Sequence, residues 1–171
     1  MITSINSIRM SLETAHGILD SVVGDLTQEA ATHTFPGTRM NPIAPTLAHA
    51  VYDEDFMVNK LVMGADPLLT RDGWLARTGI PDENPTLSPE LLAAKLDLGA
   101  LRKYAAAVFA EVDRALAGLS AEDMERSIPP PFGNGVRVSE FLARFVANHT
   151  SAHSGEISAL KGALGLPGFP G

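Results

Sequence analysis

Apolar residues recur at steps of three and four along most of the chain, and this spacing constrains the fold more than any other feature. It places apolar side chains on one face of an α-helix, whereas a half-buried strand alternates at every second residue. We find no convincing pair of alternating segments in the 171 residues. The sequence therefore predicts an all-α protein. Long helices with one apolar face bury those faces against each other, which favours a four-helix bundle.

Four long helical patterns cover most of the chain, and capping signals help to place them. Asn41 is the expected N-cap of the second helix, and Ser88 is the expected N-cap of the third. The predicted helices are residues 4 to 31, Pro42 to Met63, Ser88 to Gly118, and Val138 to Gly165.

The connection between the second and third helices, residues 64 to 88, is unusually long for a helical bundle. Glycine, proline and aspartate interrupt it, and no periodicity persists. Such a segment can cross the full length of a bundle, so the third helix can run parallel to the second. We also expect a short helical turn at Ser120 to Glu125 and a loop at residues 128 to 135. The length of the chain predicts a single domain over residues 1 to 171.

Composition excludes several classes of function. The net charge is −7 without a long cluster of lysine and arginine, which argues against binding to nucleic acid. No apolar run approaches the ~18 residues of a membrane span, and the N-terminal residues do not read as a signal peptide. The chain has no cysteine, which removes disulfides, thiolate nucleophiles and sulfur ligands. We therefore expect a cytoplasmic protein that acts on a small molecule and contacts neither nucleic acid nor membrane.

Polar residues interrupt the apolar stripe of the fourth helix. Extending the stripe from Phe145 to Ile157 leads through His149, His153 and Glu156. Each imidazole brings two polar nitrogens that need partners. Residues four apart on a helix differ by ~40° in azimuth and ~6 Å along the axis. The two rings can therefore converge on one metal ion at a distance of ~2.0–2.1 Å.

A third ligand should come from another helix, and His49 on the second helix is the best candidate. Three neutral imidazoles leave at least one coordination position open, which is typical of a catalytic metal. Asp53 and Glu156 are the candidate catalytic residues. Each could orient a ligand ring, bind the ion as a fourth ligand, or accept a proton. The alternative is that these histidines are ordinary hydrogen-bonded core residues.

The other candidate residues carry weaker signals. Glu13 and His16 have the spacing of one half of a di-iron carboxylate site, but the chain lacks the second copy. We therefore expect His16 on the flank of its helix, and His33 facing solvent. Three further side chains could line a pocket, although packing or a solvated charge is the simpler interpretation: Tyr52, Trp74 and Arg144.

Three segments together resemble the DinB/YfiT-like superfamily of metalloenzymes: LAHAVYDED on the second helix, WLARTGIP in the crossover, and NHTSAHSGEISALKGALG on the fourth helix. The resemblance covers nearly the whole chain. It implies a bundle in up-down-down-up order, often dimeric, with a divalent metal held in its core. By position, the implied ligands are His49, His149 and His153.

The resemblance also implies a chemistry. Relatives use the metal to activate a low-molecular-weight thiol, such as mycothiol or bacillithiol, for S-transfer or for maleylpyruvate isomerisation. Here the thiol would be a cosubstrate, because the chain has no cysteine. Zinc and nickel are the first candidates for the metal, since both suit imidazole ligands. Two alternatives stay open: a hydrolase in which the ion activates water, and a non-catalytic, metal-binding, stress-associated module.

Overall fold

The computed structural model describes residues 4–82, 86–129 and 135–169. Within these ranges the regular structure is helical, apart from one isolated bridge between Ser127 and Arg137. The predicted all-α class is therefore confirmed. None of the helices in these ranges has the length and apolar character needed to span a membrane.

The described part of the chain forms α-helices of very different length, and two of them are extended by π-helical segments. The α-helices are α1 Ser4–Gly24, α2 Gln28–Ala31, α3 Ile43–Asp55, α4 Leu68–Arg71, α5 Trp74–Thr78, α6 Pro89–Leu92, α7 Leu98–Gly118, α8 Ala121–Glu125, α9 Val138–Phe141 and α10 Ala147–Ala163. The π-helical segment Phe56–Val62 continues α3, and the π-helical segment Leu142–Val146 joins α9 to α10.

Four long elements pack around the core. Helix α1 packs against α10 and α7, and α3 packs against the same two helices. Near the ends of α1 and α10, Lys161 Nζ donates to Val22 O at 2.9 Å, so these two helices run parallel. Arg9, near the start of α1, pairs with Asp113, near the end of α7, so α1 and α7 are antiparallel.

Helices α3 and α10 are antiparallel as well. His49 in the middle of α3 contacts both His149 and His153, while Asp53 one turn later approaches His149, the earlier of the two on α10. The arrangement places the seam between α3 and α10 at one face of the bundle and the seam between α1 and α7 at the opposite face.

Helix α1 buries the stripe that its sequence predicts, but it is shorter than expected. The predicted helix continues to residue 31, whereas α1 ends at Gly24 and Thr27 caps the separate helix α2. Polar groups from two other helices end α1. Arg102 donates a hydrogen bond to Val23 O, and the ammonium of Lys161 donates one to Val22 O. The buried stripe consists of Ile8, Leu12, Ala15, Leu19 and Val22.

Two predicted helix starts also need correction. Asn41 is not the N-cap of α3, because Pro42 holds that position in extended conformation and its carbonyl accepts the N–H of Thr46. Ser88 caps a helix as predicted, but that helix is only the short α6. A second N-cap, Asp97, starts α7 by accepting the N–H of Ala100 at 2.7 Å.

The long crossover contains short helices that the sequence did not predict, and Asp55 fixes the first of them. Asp55 is wholly buried at the end of α3. Its carboxylate accepts the N–H groups of Leu68 and Leu69, both at 2.9 Å, and so caps the first turn of α4. It also accepts a hydrogen bond from Tyr104 Oη on α7 at 2.6 Å and one from Asn59 Nδ2. The crossover is therefore bonded to the bundle core through one carboxylate.

The predicted helical turn after α7 is confirmed as α8, where Ser120 and Asp123 form a reciprocal capping box. Of the predicted loop at residues 128 to 135, residues 130 to 134 lie outside the described ranges. The last long helix ends at Ala163, close to the predicted end. Gly165 adopts a positive φ of 73° just beyond it, which is the usual conformation at a helix C-terminus.

Candidate metal centre

The π-helical segment Leu142–Val146 decides which side chains of α10 reach the core. A π-turn inserts one extra residue into a helix, so every later position moves by one. Phe145, expected in the core, is 44% exposed, whereas its neighbour Val146 is buried. Thr150 and Ser154, each one position after a histidine of the predicted stripe, are wholly buried, and the buried line continues through the predicted Ile157 to Lys161.

This shift moves the histidines of α10 from the centre of the core to the seam with α3. His149 and His153 are half-buried, with side chains 24% and 16% exposed. His49 faces them from α3 with 15% of its side chain exposed. The seam is thus partly accessible from solvent, which a site for a small molecule requires.

The structure brings together the three histidines that the sequence singles out. One ring nitrogen of each of His49, His149 and His153 can be chosen so that all three lie within 4.8 Å of one another. His149 Nε2 and His153 Nε2 are 3.2 Å apart. Two ligands of one tetrahedral ion at ~2.0–2.1 Å would be about 3.4 Å apart, so this pair already has nearly the required separation. The group could therefore hold a metal ion.

Asp53 lies between two of the three rings. Its Oδ1 is 3.5 Å from His49 Nδ1, and its Oδ2 is 3.3 Å from His149 Nε2. About a third of its side chain is exposed. Asp53 is therefore close enough to orient His49 or to act as a fourth ligand, and it is accessible enough to exchange a proton with a bound molecule.

Glu156 contacts the third ring from the opposite side. Its Oε2 lies 2.8 Å from His153 Nδ1, which places the proton of that ring on Nδ1 and leaves Nε2 directed towards His149. A carboxylate in this position is the usual partner of a metal-bound histidine. Burial lowers the pKa of His153, the hydrogen bond that its ring donates to Glu156 opposes that effect, and the nearby rings of His149 and His49 lower the pKa further. His153 is therefore held in the neutral form that binds metals.

One buried atom of the group is His149 Nδ1. It makes no hydrogen bond to any part of the chain that the structure describes. If His149 Nε2 bound an ion, the proton of the ring would sit on this buried nitrogen. An unpaired buried donor costs free energy, so His149 is the weakest of the three ligands on this criterion. The ring nitrogens of His49 and His153, with the carboxylates of Asp53 and Glu156 beside them, suit a divalent cation.

A buried polar cluster next to the histidines was not predicted. Glu54 on α3 is wholly buried, and its two oxygens bind side chains from two other helices. Oε1 lies 2.5 Å from His16 Nε2 of α1, and Oε2 accepts the hydroxyl hydrogen of Thr150 of α10 at 2.5 Å. The prediction that His16 lies on the flank of its helix is therefore wrong. No periodic pattern marks Glu54 in the sequence, because α3 is buried on nearly every side.

The remaining candidate residues have ordinary roles. Trp74 packs near the ring of Tyr104, Tyr52 is buried, and Arg144 pairs with Glu140 one turn away. His33 is exposed, as expected.

A cavity of about 260 Å³ lies on the opposite face, between α1 and α7. The ion pair between Arg9 and Asp113 crosses this seam, and His16 lines the cavity beside buried leucine and valine side chains. The cavity does not touch the three histidines. We place the candidate site at the histidines, because their chemistry is more specific than the volume of a groove between helices.

Fold and site together define a helical bundle with a three-histidine group that could hold a metal ion. The sequence model of the DinB superfamily matches residues 11–157, and the chain belongs to that superfamily. The fold is similar to that in the crystal structure of a conserved protein of locus from Enterococcus faecalis, with a TM-score of 0.75 over 93% of this chain and 96% of that chain. The two sequences are 20% identical, so this likeness shows the fold alone. No curated protein matches the sequence.

Proposed function

We propose that His49, His149 and His153 bind one divalent transition metal, and that the protein transfers a low-molecular-weight thiol to a small electrophilic substrate. The convergence of three half-buried imidazoles within 4.8 Å, from two different helices, carries this proposal. Membership of the DinB superfamily supports the same conclusion. A ring cluster of this kind is costly to build for packing alone, because each imidazole needs polar partners.

The carboxylates of Glu156 and Asp53 have different roles in this proposal. Glu156 keeps the proton of His153 on Nδ1, so Nε2 stays free as a ligand. Asp53 is the candidate proton acceptor, since its oxygens lie beside His49 and His149 and it is partly exposed. A divalent ion at such a group supplies Lewis acidity, which lowers the pKa of a coordinated thiol.

The thiol must come from a cosubstrate, because the chain contains no cysteine. In the proposed reaction Asp53 takes the proton of the thiol at a carboxylate oxygen. The sulfur then forms a bond to the electrophilic carbon, and the leaving group departs with the electron pair of the broken bond. Asp53 returns the proton to the leaving group or to water, so protons and electrons balance.

Asp53 also supports a second candidate function. A carboxylate oxygen 3.3 Å from His149 Nε2 could serve as a fourth ligand and close the coordination of the ion. The protein would then be a non-catalytic metal-binding module. A hydrolase needs the same open site as a transferase, and only the requirement for a thiol separates the two.

Metal content tests the site. We expect about one equivalent of zinc or nickel by inductively coupled plasma mass spectrometry in the wild type, and loss of that metal in a His149→Ala/His153→Ala variant that stays helical. His33→Ala is the matched control, because His33 is exposed and distant in sequence. Wild-type protein that remains metal-free after incubation with either ion would refute the proposal.

Turnover separates the candidate functions. Electrophiles are incubated with the metal-loaded protein in the presence and absence of a small thiol. A rate that requires the thiol and falls at least ten-fold in Asp53→Asn, with metal retained, supports the transferase. A rate without thiol supports the hydrolase. Loss of metal in Asp53→Asn, without turnover in the wild type, supports the module.

We also propose a homodimer in solution, which rests on the superfamily alone. Sedimentation equilibrium should then give twice the mass of the 18.1 kDa chain. A mass of one chain at micromolar concentration would contradict this part of the proposal without affecting the metal site.

A further inference from the structure

Glu54, His16 and Thr150 form a polar cluster at the centre of the bundle, which we call the Glu54 cluster. Glu54 and Thr150 are both 0% exposed. His16 lies 2.5 Å from one oxygen of Glu54, and its ring stacks on Phe109 of α7 with centroids 3.9 Å apart. Side chains from α1, α3, α7 and α10 therefore meet around a single carboxylate.

Stability alone is a poor explanation for this cluster. Removing a carboxylate from water carries a large desolvation penalty, and apolar replacements of buried polar sets are often neutral or stabilising. The better-attested benefit of a buried polar contact is that it selects one register and one rotation of the packed helices. Because the Glu54 cluster connects α3 to α10, it can select the rotation of the two helices that carry the histidines.

The positions in the sequence make this link direct. Glu54 follows Asp53 on α3, and Thr150 follows His149 on α10. Neighbouring residues on a helix point about 100° apart, so the hydrogen bond lies on the core side of the seam while the histidines lie on its outer side. The hydrogen bond between Glu54 and Thr150 and the contacts among the histidines lie at one level of the bundle, on two sides of the seam. Together they resist rotation of either helix about its axis.

From this geometry we infer that Glu54 and Thr150 are positioning residues, whose hydrogen bond sets the rotation of α10 against α3 and so the separation of the three metal-binding rings. The inference rests on the proposed metal site. A rotation of 10° moves an atom on the surface of a helix by about 1 Å. Metal ligands need placement within about 0.2 Å, so a small rotation would weaken binding strongly.

The π-helical segment Leu142–Val146 places Thr150 where its hydroxyl can reach Glu54. Its extra residue brings Thr150 into the core and leaves His149 at the seam. Ser154, one turn later, is equally buried, but its hydroxyl donates to Thr150 O within the same helix. Ser154 therefore shares the burial of Thr150 without the link to α3, and it provides a matched control.

The test measures Co²⁺ binding to metal-free protein, because Co²⁺ has a visible spectrum that reports its coordination. We expect Thr150→Val to remain helical, to bind Co²⁺ at least ten-fold more weakly than the wild type, and to show an altered visible spectrum. Thr150→Ser restores the hydroxyl and should recover both affinity and spectrum. Ser154→Ala should lose thermal stability without losing affinity.

The outcomes separate this inference from the proposed function. If the wild type binds Co²⁺ and Thr150→Val binds it equally well with the same spectrum, the positioning role is refuted and the metal site stands. If Ser154→Ala loses as much affinity as Thr150→Val, general loosening of α10 explains the effect and the inference is again refuted. If the wild type does not bind Co²⁺, both fall. Glu54→Gln repeats the test from α3, should Thr150→Val not fold.

Discussion

At the residue scale, Glu156 contacts His153, one of the three histidines of the candidate metal centre. Its Oε2 is 2.8 Å from His153 Nδ1. Loss of such a partner from a metal-binding histidine typically costs 10–100-fold in affinity. We therefore predict that Glu156→Leu binds zinc roughly ten-fold or more weakly than the wild type, measured by competition with a chromophoric chelator.

The matched controls use the chemistry of the acceptor. Glu156→Gln keeps a carbonyl oxygen for the ring and should stay close to wild-type affinity. Glu140→Leu removes a carboxylate of α9 that pairs with Arg144, and it should leave zinc binding unchanged. Wild-type affinity in Glu156→Leu would show that His153 does not need its carboxylate partner.

Tyr104 gives a prediction about pH. Burial raises the pKa of Tyr104 well above its usual value, and the charge of Asp55 and the hydrogen bond to it raise it further. In the unfolded chain Tyr104 ionises near pH 10, while in the folded protein it stays neutral to higher pH. The stability that Tyr104 contributes is therefore fully present below pH ~10 and is lost as the pH rises towards the folded pKa.

Urea unfolding between pH 8 and pH 11 tests this sign. Above pH ~10, the free energy of unfolding of the wild type should fall more steeply than that of Tyr104→Phe, by up to about 1.4 kcal/mol per pH unit. Parallel slopes would mean that Tyr104 ionises in the folded protein as easily as in the unfolded chain.

At the element scale, Asp55 determines how the crossover sits on the bundle. It accepts hydrogen bonds from the first two amides of α4, and it also binds Tyr104 and Asn59. We predict that Asp55→Ala lowers the free energy of unfolding by about 3–5 kcal/mol, because several buried donors lose their partner together. Hydrogen exchange at the amides of Leu68 and Leu69 should accelerate as well.

Asp66→Ala is the control for this prediction. Asp66 lies in the same crossover, but it is exposed and pairs with the exposed Lys60. Its loss should change stability by less than about 0.5 kcal/mol. If Asp55→Ala were no more harmful than Asp66→Ala, the crossover would be held by its apolar residues instead.

The elements also show how far the sequence could predict this fold. The stripe of α1 was predictable because Leu12, Ala15 and Leu19 keep the helical period without interruption. The interruption before α7 was not predictable, because it depends on the distant side chain of Gln28. That side chain accepts the N–H of Leu98 at 2.9 Å and donates to Leu96 O. Contacts between distant segments leave no local pattern.

The candidate site was predictable to the same extent. The spacing of His149 and His153 on one helix, and the place of His49 on another, led to a group that the structure brings together. The depth of that group was not predictable, because a π-turn is a single inserted residue without a sequence signature. For the same reason the sequence did not single out Thr150, which is wholly buried.

At the scale of the whole molecule, metal binding should appear as thermal stability. A ligand at 100 times its Kd stabilises a folded protein by about 2.7 kcal/mol if it does not bind the unfolded chain. For a chain of this length that corresponds to a rise in Tm of roughly 5–11 °C. We predict such a rise with zinc or nickel for the wild type, and no rise for His149→Ala/His153→Ala, by differential scanning calorimetry.

Magnesium is the control ion, since it prefers oxygen ligands and should not raise Tm. A rise of equal size with magnesium, or in the double variant, would show that the ions act elsewhere on this acidic chain. A rise confined to transition metals and to the intact histidines would locate the effect at the seam.

The antiparallel contact of α3 with α10 has a kinetic consequence. It joins residues that are far apart in the chain, and contacts of that kind cost loop-closure entropy and tend to form late. The three histidines should therefore meet only after the folding barrier has been crossed. We expect bound zinc to slow unfolding by nearly its full stabilising effect while the refolding rate measured by stopped flow stays unchanged. Bound metal would then prolong the lifetime of the native state without helping the chain to reach it.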